Sequence, residues 1–247
     1  MNAPPDPARE QVPFAPTRKG VRLLITAGPT HEPIDAVRYL GNRSSGRLGI
    51  ALAEAGVERG WETTLLLGPT PRRPANHRVR VHRFQTTCEL QGLLAEHFPA
   101  CDVLVMAAAV ADYRPRLACA HDTGEFDAVG PLTEPDLSTK IRRGSGPIRL
   151  ELEPTPDLLA EVSGRRQPHH RLVGFALEPE ERLMSSARDK LARKGLDAIV
   201  ANPLETMDAP SIRATVLFAD GRIESTPDAG MTKEAFAPWL LDRLPRP

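Results

Sequence analysis

The stretch that most limits how this chain folds runs from Val21 to Gly60, VRLLITAGPTHEPIDAVRYLGNRSSGRLGIALAEAGVERG. Val21, Leu23, Leu24 and Ile25 form a β-branched and aliphatic run that stops at Ala27-Gly28-Pro29, as a buried parallel strand stops at its carboxyl end. After a loop, Ser44-Ser45-Gly46 opens a segment with apolar side chains at Leu48, Leu52 and Ala55, the spacing of one helix face, closing at Gly60. Strand, glycine turn and helix make a unit suited to phosphate, because the first amides of a helix lack internal partners and its dipole is positive there. Gly46 and Gly49 are expected to let an anion approach the backbone, with the Ser44 and Ser45 hydroxyls as further donors. Seventeen residues separate Gly28 from Gly46 and no G-x-G-x-x-G occurs, so this is not a dinucleotide fingerprint. The loop carries its own cargo, Arg38, Asn42 and Arg43.

A chain of 247 residues is long enough to bury one α/β core, and residues 20–247 read as a single domain. Its 32 basic and 32 acidic residues cancel, which argues against a nucleic-acid groove or a membrane-surface role. Any phosphorylated ligand must then be held by local placement of charge. Cys88, Cys101 and Cys119 make no C-x-x-C pair, so reduced thiols in a cytoplasm are the expectation. The opening stretch MNAPPDPAREQVPFAPTRKG holds 5 prolines and no apolar run; it reads as a disordered or loosely attached arm over 1–19, neither signal peptide nor membrane span. The 7 histidines are scattered apart from the adjacent His169 and His170, and no metal site is expected.

Further buried strands are expected at Thr63–Leu67, Asp102–Ala109, Leu172–Ala176 and Asp197–Ala201, with a half-exposed one around Ile148, Leu150 and Leu152. Val79 and Val81 alternate with Arg80 and His82 as an outer strand would. Helices are expected over Cys88–Phe98, after Pro154 with Thr155 as cap, over Glu178–Lys194, and over Thr232–Leu244. Arg213–Ala219 and Arg222–Ser225, joined by Asp220-Gly221, read as a hairpin. Alternating strands and helices predict an α/β fold, a doubly wound Rossmann-like parallel sheet with an antiparallel hairpin near the C-terminus. Small residues after the third strand, followed by Asp112, leave room for a ligand at the sheet's carboxyl edge. From about 114 to 147 the pattern dissolves into glycine, proline and charge ending in Lys140-Ile141-Arg142-Arg143, an insertion of the length that forms functional flaps.

The strings ITAGPTHEPIDAVRYLGNRSSGRLG, AAAVADYRP, PTPDLL, LVGFALE and ARDKLARKGLDAIVAN, with the Lys-Ile-Arg-Arg string and the hairpin in their order, resemble phosphopantothenate–cysteine ligase, also called phosphopantothenoylcysteine synthetase. The resemblance covers about Val21 to Arg222. It implies a two-step ligation in coenzyme A biosynthesis: the carboxylate of 4′-phosphopantothenate attacks the α-phosphate of CTP or ATP, and the amine of cysteine then displaces the nucleoside monophosphate. Mg²⁺ is implied as the counterion of the triphosphate. The resemblance implies a dimer, and because a flavin-dependent decarboxylase domain precedes most bacterial members, a separate phosphopantothenoylcysteine decarboxylase partner is expected.

Carried over by resemblance, Asn42 holds the activated acyl group and Lys140 stabilises charge at the α-phosphate or on pyrophosphate. Arg38, Ala108, Ala109 and Asp112 correspond to substrate-binding positions. Gly28, Ser44, Gly46 and Gly49 are placed against phosphates. Met106, Ala107, Ala108, Asp112, Pro156, Asp157, Leu158, Leu159, Phe175, Lys190, Lys194 and Asn202 match the nucleotide side, Phe175 as a wall against the base. Departures from the family pattern fall at Arg142 and Arg143, which replace lysines, at Leu177, which replaces an alanine, and at Pro203, which replaces an aspartate. Two other readings compete: a non-catalytic scaffold of the same fold, motivated by those departures, and an NAD(P)-dependent Rossmann oxidoreductase. Against the second, no acidic residue ends the second strand and no Tyr-x-x-x-Lys pair is present.

Overall fold

The computed structural model describes residues 20–116, 140–142, 150–207 and 209–245. The expected arm at 1–19, Cys119, Arg143 and Ile148 lie outside them, as does most of the expected flap. In chain order the elements are β1 (Arg22–Ala27), β2 (His31–Pro33), β3 (Tyr39–Gly41), α1 (Arg47–Glu58), β4 (Glu62–Leu67), β5 (Arg80–Arg83), α2 (Thr87–His97), β6 (Val103–Met106), β7 (Tyr113–Pro115), β8 (Leu152–Pro154), α3 (Leu158–Gly164), β9 (Arg171–Glu178), α4 (Glu180–Arg193), β10 (Ala198–Pro203), β11 (Ser211–Ile212), β12 (Thr215–Phe218), β13 (Ile223–Ser225), β14 (Met231–Thr232) and α5 (Lys233–Leu241).

Eight of the strands form one sheet in the order β13-β12-β10-β9-β6-β1-β4-β5. Its six central and outer members run parallel, and β12 and β13 add the expected hairpin antiparallel at one edge. Alternate residues of β1 feed two cores. Leu23, Ile25 and Ala27 join the layer under α1 and α5, while Leu24 joins the layer under α2, α3 and α4. Both faces are covered over β1, β4, β6, β9 and β10, which is why these parallel strands read as largely apolar runs, whereas the edge strand β5 is mostly exposed. The fold is α/β and Rossmann-like.

Close packing of α1 on β1 depends on Gly49. A Cβ there would sit 2.3 Å from that of Ala27, inside the contact limit of any two carbon atoms. Gly46 serves differently: it is the N-cap residue of α1 with φ +69°, a left-handed conformation that glycine adopts without penalty.

Several elements differ from the expectations. The loop after β1 contains the β2–β3 hairpin, too short and too polar to leave a period-2 signal. The strand predicted over Asp102–Ala109 ends at Met106. Beyond it the chain leaves β9, whose register with β6 stops at Val105–Val173, but stays on β1, with Ala107 N donating to Thr26 O (3.1 Å) and Ala108 N to Thr26 Oγ1 (3.1 Å). Among the described residues of the half-exposed strand, Leu152–Pro154 is strand, pairing antiparallel with β7, and Leu150 is not. Asp157, not Thr155, caps α3 by accepting from Ala160 N (3.1 Å), while the Thr155 hydroxyl donates to Ala111 O (2.5 Å). The Glu178 expected to start a helix closes β9 instead, and α4 begins after Pro179.

Candidate functional site

The chain runs β1, β4, β5 to one side of the sheet and then β6, β9, β10 to the other. Connections therefore diverge between β1 and β6, and in open α/β sheets a ligand crevice lies beyond the carboxyl ends of such strands. A cleft of about 850 Å³ is found there. One wall is the β3–α1 loop and the start of α1, from Gly41 to Gly49; the floor is Met106 to Asp112; the other wall is Thr155 to Leu159 with Lys190 of α4 and Lys194 just past its end, closed off by Phe175 and Asn202.

Ser44, Gly46, Gly49, Asn42, Met106, Ala107, Ala108, Ala109, Asp112, Pro156, Asp157, Leu158, Leu159, Phe175, Lys190, Lys194 and Asn202 all line this one space. Gly28, Arg38 and Lys140 are not among its lining residues. Gly28 lies below the floor, where its carbonyl accepts from Ala109 N (2.9 Å) and its φ of +81° brings it against Gly68; this glycine serves backbone packing, not phosphate approach. Gly49 likewise answers to Ala27, and the amide of Gly46 turns toward Ser44 Oγ (3.4 Å). What remains of the phosphate argument on this wall is the α1 terminus itself, with no side chain capping it and no acid in its first turn.

Asn42 is fixed by its amide, Nδ2 donating to Val110 O at 2.8 Å, so the side chain bridges the first wall to the floor. On the opposite wall Lys194, with a side chain 9% exposed, pairs with Asp157 at 2.7 Å. Burial pushes the Asp157 carboxyl up, but Lys194 and the Ala160 amide outweigh it and hold the group below the usual carboxylate range. Lys190 donates to Phe175 O at 2.7 Å. Burial, followed by the like charge of Lys194, lowers its pKa, so a bound anion here would favour the charged form that the fold disfavours. Asn202 Nδ2 donates to Thr206 Oγ1 at 2.8 Å, and Phe175 is half-buried against the core.

Residues missed in the sequence also line the cleft: Thr155, Thr206 and the buried Lys233, which opens α5. Their signal is tertiary. Arg47 Nε binds Glu234 Oε1 at 2.8 Å, tying the start of α5 to the start of α1 across 187 positions. Of the departures, Leu177 is 38% exposed on the cleft wall, and Pro203 ends β10 opposite Glu178. Among the described residues no group of three or more His, Cys, Asp or Glu is placed to hold a metal ion, and no helix is long and apolar enough to cross a membrane.

Comparison with known proteins agrees with this fold. The family model described as DNA/pantothenate metabolism flavoprotein C-terminal domain matches residues 18–123 and 132–246. A protein named cysteine/cysteine sulfinic acid decarboxylase, from an unknown prokaryotic organism, is 40% identical over 212 residues, 83% of this chain and 54% of its own length. The coenzyme A biosynthesis bifunctional protein CoaBC of Mycobacterium bovis is 39% identical over 237 residues, 91% of this chain and 52% of its own length. The chain thus spans about half the length of these curated relatives. Among solved structures, the C-terminal domain of CoaBC superposes with TM-score 0.70 at 31% identity, covering 91% of this chain and 93% of that one. The flavoprotein from Streptococcus pneumoniae superposes with TM-score 0.75 at 26% identity, covering 91% and 98%. A Cab2 variant in complex with phosphopantothenate-cysteine shares the fold, with TM-score 0.68 at 17% identity over 90% of this chain and 86% of that one. On these matches, the chain belongs to the family of the C-terminal domain of the DNA/pantothenate metabolism flavoproteins.

Proposed function

We propose that this chain joins 4′-phosphopantothenate to cysteine through an acyl nucleotidylate made from CTP or ATP. The supporting observation is that one cleft sets Asn42 and the uncapped start of α1 against a wall bearing Lys190 and Lys194. The reactants are a phosphomonoester carboxylate and a nucleoside triphosphate, and their mutual repulsion is the barrier to be lowered. Positive dipole ends and cations on facing walls do so without either anion neutralising the other's site. The printed names of the relatives support the pathway: CoaBC is a coenzyme A biosynthesis protein, and the Cab2 structure holds phosphopantothenate-cysteine, the amide this reaction would make.

Mg²⁺ is taken to be held chiefly by the triphosphate oxygens and water, as is usual for that ion, with Asp112, an exposed carboxylate of the cleft, able to share it. Lys140 is assigned to the α-phosphate by resemblance alone. The working form is proposed to be a cytoplasmic homodimer. Of the competing readings, the scaffold rests on the departures, and a decarboxylase activity is carried by the name of one relative twice as long as the matched region.

The test is product analysis with cysteine, 4′-phosphopantothenate and either CTP or ATP. Amide product formed with equal amounts of nucleoside monophosphate and pyrophosphate supports the ligase. Carbon dioxide release with no nucleotide consumed would favour the decarboxylase, and no product from folded protein would favour the scaffold.

A further inference from the structure

We propose that Asp35 and Arg38, in the turn between β2 and β3, are positioning residues that seat Lys140 by clasping the backbone of Ile141. The proposal rests on the ligase reading for its kinetic consequence. Asp35 is a carboxylate only 4% exposed. Its Oδ1 accepts from the amides of Val37 (2.8 Å) and Arg38 (2.7 Å), and its Oδ2 accepts from the Arg38 guanidinium, Nε at 2.8 Å and Nη2 closer still. The same Oδ2 accepts the amide of Ile141 at 3.1 Å, 106 positions away. Arg38 Nη2 in turn donates to Ile141 O at 2.9 Å.

Both polar groups of one distant residue are thus bound by a salt-bridged pair. The turn does not need this, because Arg38 O already accepts from the amides of Ile34 (2.8 Å) and Asp35 (3.2 Å). The extra bonds act on the segment they reach, Lys140–Arg142. The carboxylate suits this role because the hydrogen bond from Arg38 outweighs burial, and the amides of Val37, Arg38 and Ile141 add to it, so it stays ionised throughout the working range. Fixing Ile141 leaves Lys140 one peptide unit, about 3.8 Å, from a rigid anchor. Through β3 that anchor is continuous with Asn42, which follows Gly41 directly. Arg38 is therefore assigned here to the clasp, which accounts for its place outside the cleft lining.

The test is a double-mutant cycle with Asp35→Asn and Lys140→Gln, read by pyrophosphate release, together with hydrogen exchange of the Ile141 amide. Asp35→Asn is expected to lower kcat about tenfold while KM for nucleotide stays within about twofold, the signature of lost positioning. Adding it to Lys140→Gln is expected to cost nothing further, because both act through one group. Exchange at Ile141 should rise in Asp35→Asn with the rest of the sheet still protected. Ile141→Pro removes the same amide donor without touching the turn and should reproduce the kinetic loss if Asp35→Asn folds poorly. Additive losses in the double variant, or unchanged Ile141 exchange in folded Asp35→Asn, would overturn the clasp. If wild-type protein releases no pyrophosphate, the ligase reading fails, and the exchange result still decides whether the clasp exists.

Discussion

The two walls of the cleft solve the same electrostatic problem in opposite ways. On the α1 side the positive pole is backbone, a helix start without a side-chain cap or an acidic neighbour in its first turn. On the α3–α4 side the positive groups are side chains that already have partners, Lys194 with Asp157 and Lys190 with the carbonyl of Phe175. The starts of α2 and α5 are built differently: Thr86 caps α2 and Thr232 caps α5 with side-chain oxygens, at 3.2 and 3.1 Å. An anion on the first wall meets a preformed pole. One on the second must compete with Asp157 for Lys194, which makes that wall exchangeable and suits it to a nucleotide that enters charged and leaves as two fragments.

The largest effect separating the walls is expected from Asn42→Asp. A negative charge between the first wall and the floor opposes the activated acyl phosphate, and turnover should fall about 100-fold or more, while nucleotide binding on the other wall, measured by calorimetry, changes little. Equal losses in both would mean the walls do not act separately. Next is Gly49→Val, which drives a side chain into Ala27 and should cost about 1–3 kcal/mol of stability, read as a lowered Tm; no change in Tm would contradict the packing role given to this glycine. Lys194→Met should weaken nucleotide about tenfold, a loss of roughly 1.4 kcal/mol, and leave the KM for 4′-phosphopantothenate near its wild-type value.

The smallest expected effect is one of pH. Because burial and then Lys194 depress Lys190 below the ordinary lysine value of 10.5, and an anion raises it again, nucleotide affinity should be full below the depressed value. It should decline as pH rises above that depressed value. Lys190→Met should flatten that decline in a calorimetric titration; an unchanged slope would assign it to another group.

Much of this architecture was legible in the chain. Five of the six parallel strands announce themselves as apolar runs because both faces are buried, the exposed edge strand β5 shows instead as alternation, and the hairpin at Asp220-Gly221 carries its own turn signal. The β2–β3 hairpin was not legible, since three-residue strands have no period to read. Site residues near the strand ends, such as Ala108, Asp112 and Phe175, fell where the α/β crevice must be. At Gly28 and Gly49 the structure shows close packing on Gly68 and Ala27, a role the sequence does not reveal, because a missing Cβ looks the same in sequence whether it admits a ligand or a neighbouring strand. Lys233 was invisible, brought to the cleft only by the docking of α5 on α1. The place of Arg38 outside the lining was equally hidden, since its partner Ile141 is 103 positions away.

The measurement that bears most directly on the cleft as a two-anion site is a single-turnover reaction lacking cysteine, with 4′-phosphopantothenate and radiolabelled CTP or ATP. The account predicts about one pyrophosphate released per active site, with label retained on protein as the acyl nucleotidylate until cysteine is added. Folded protein that binds both compounds yet releases no pyrophosphate with either nucleotide would contradict it.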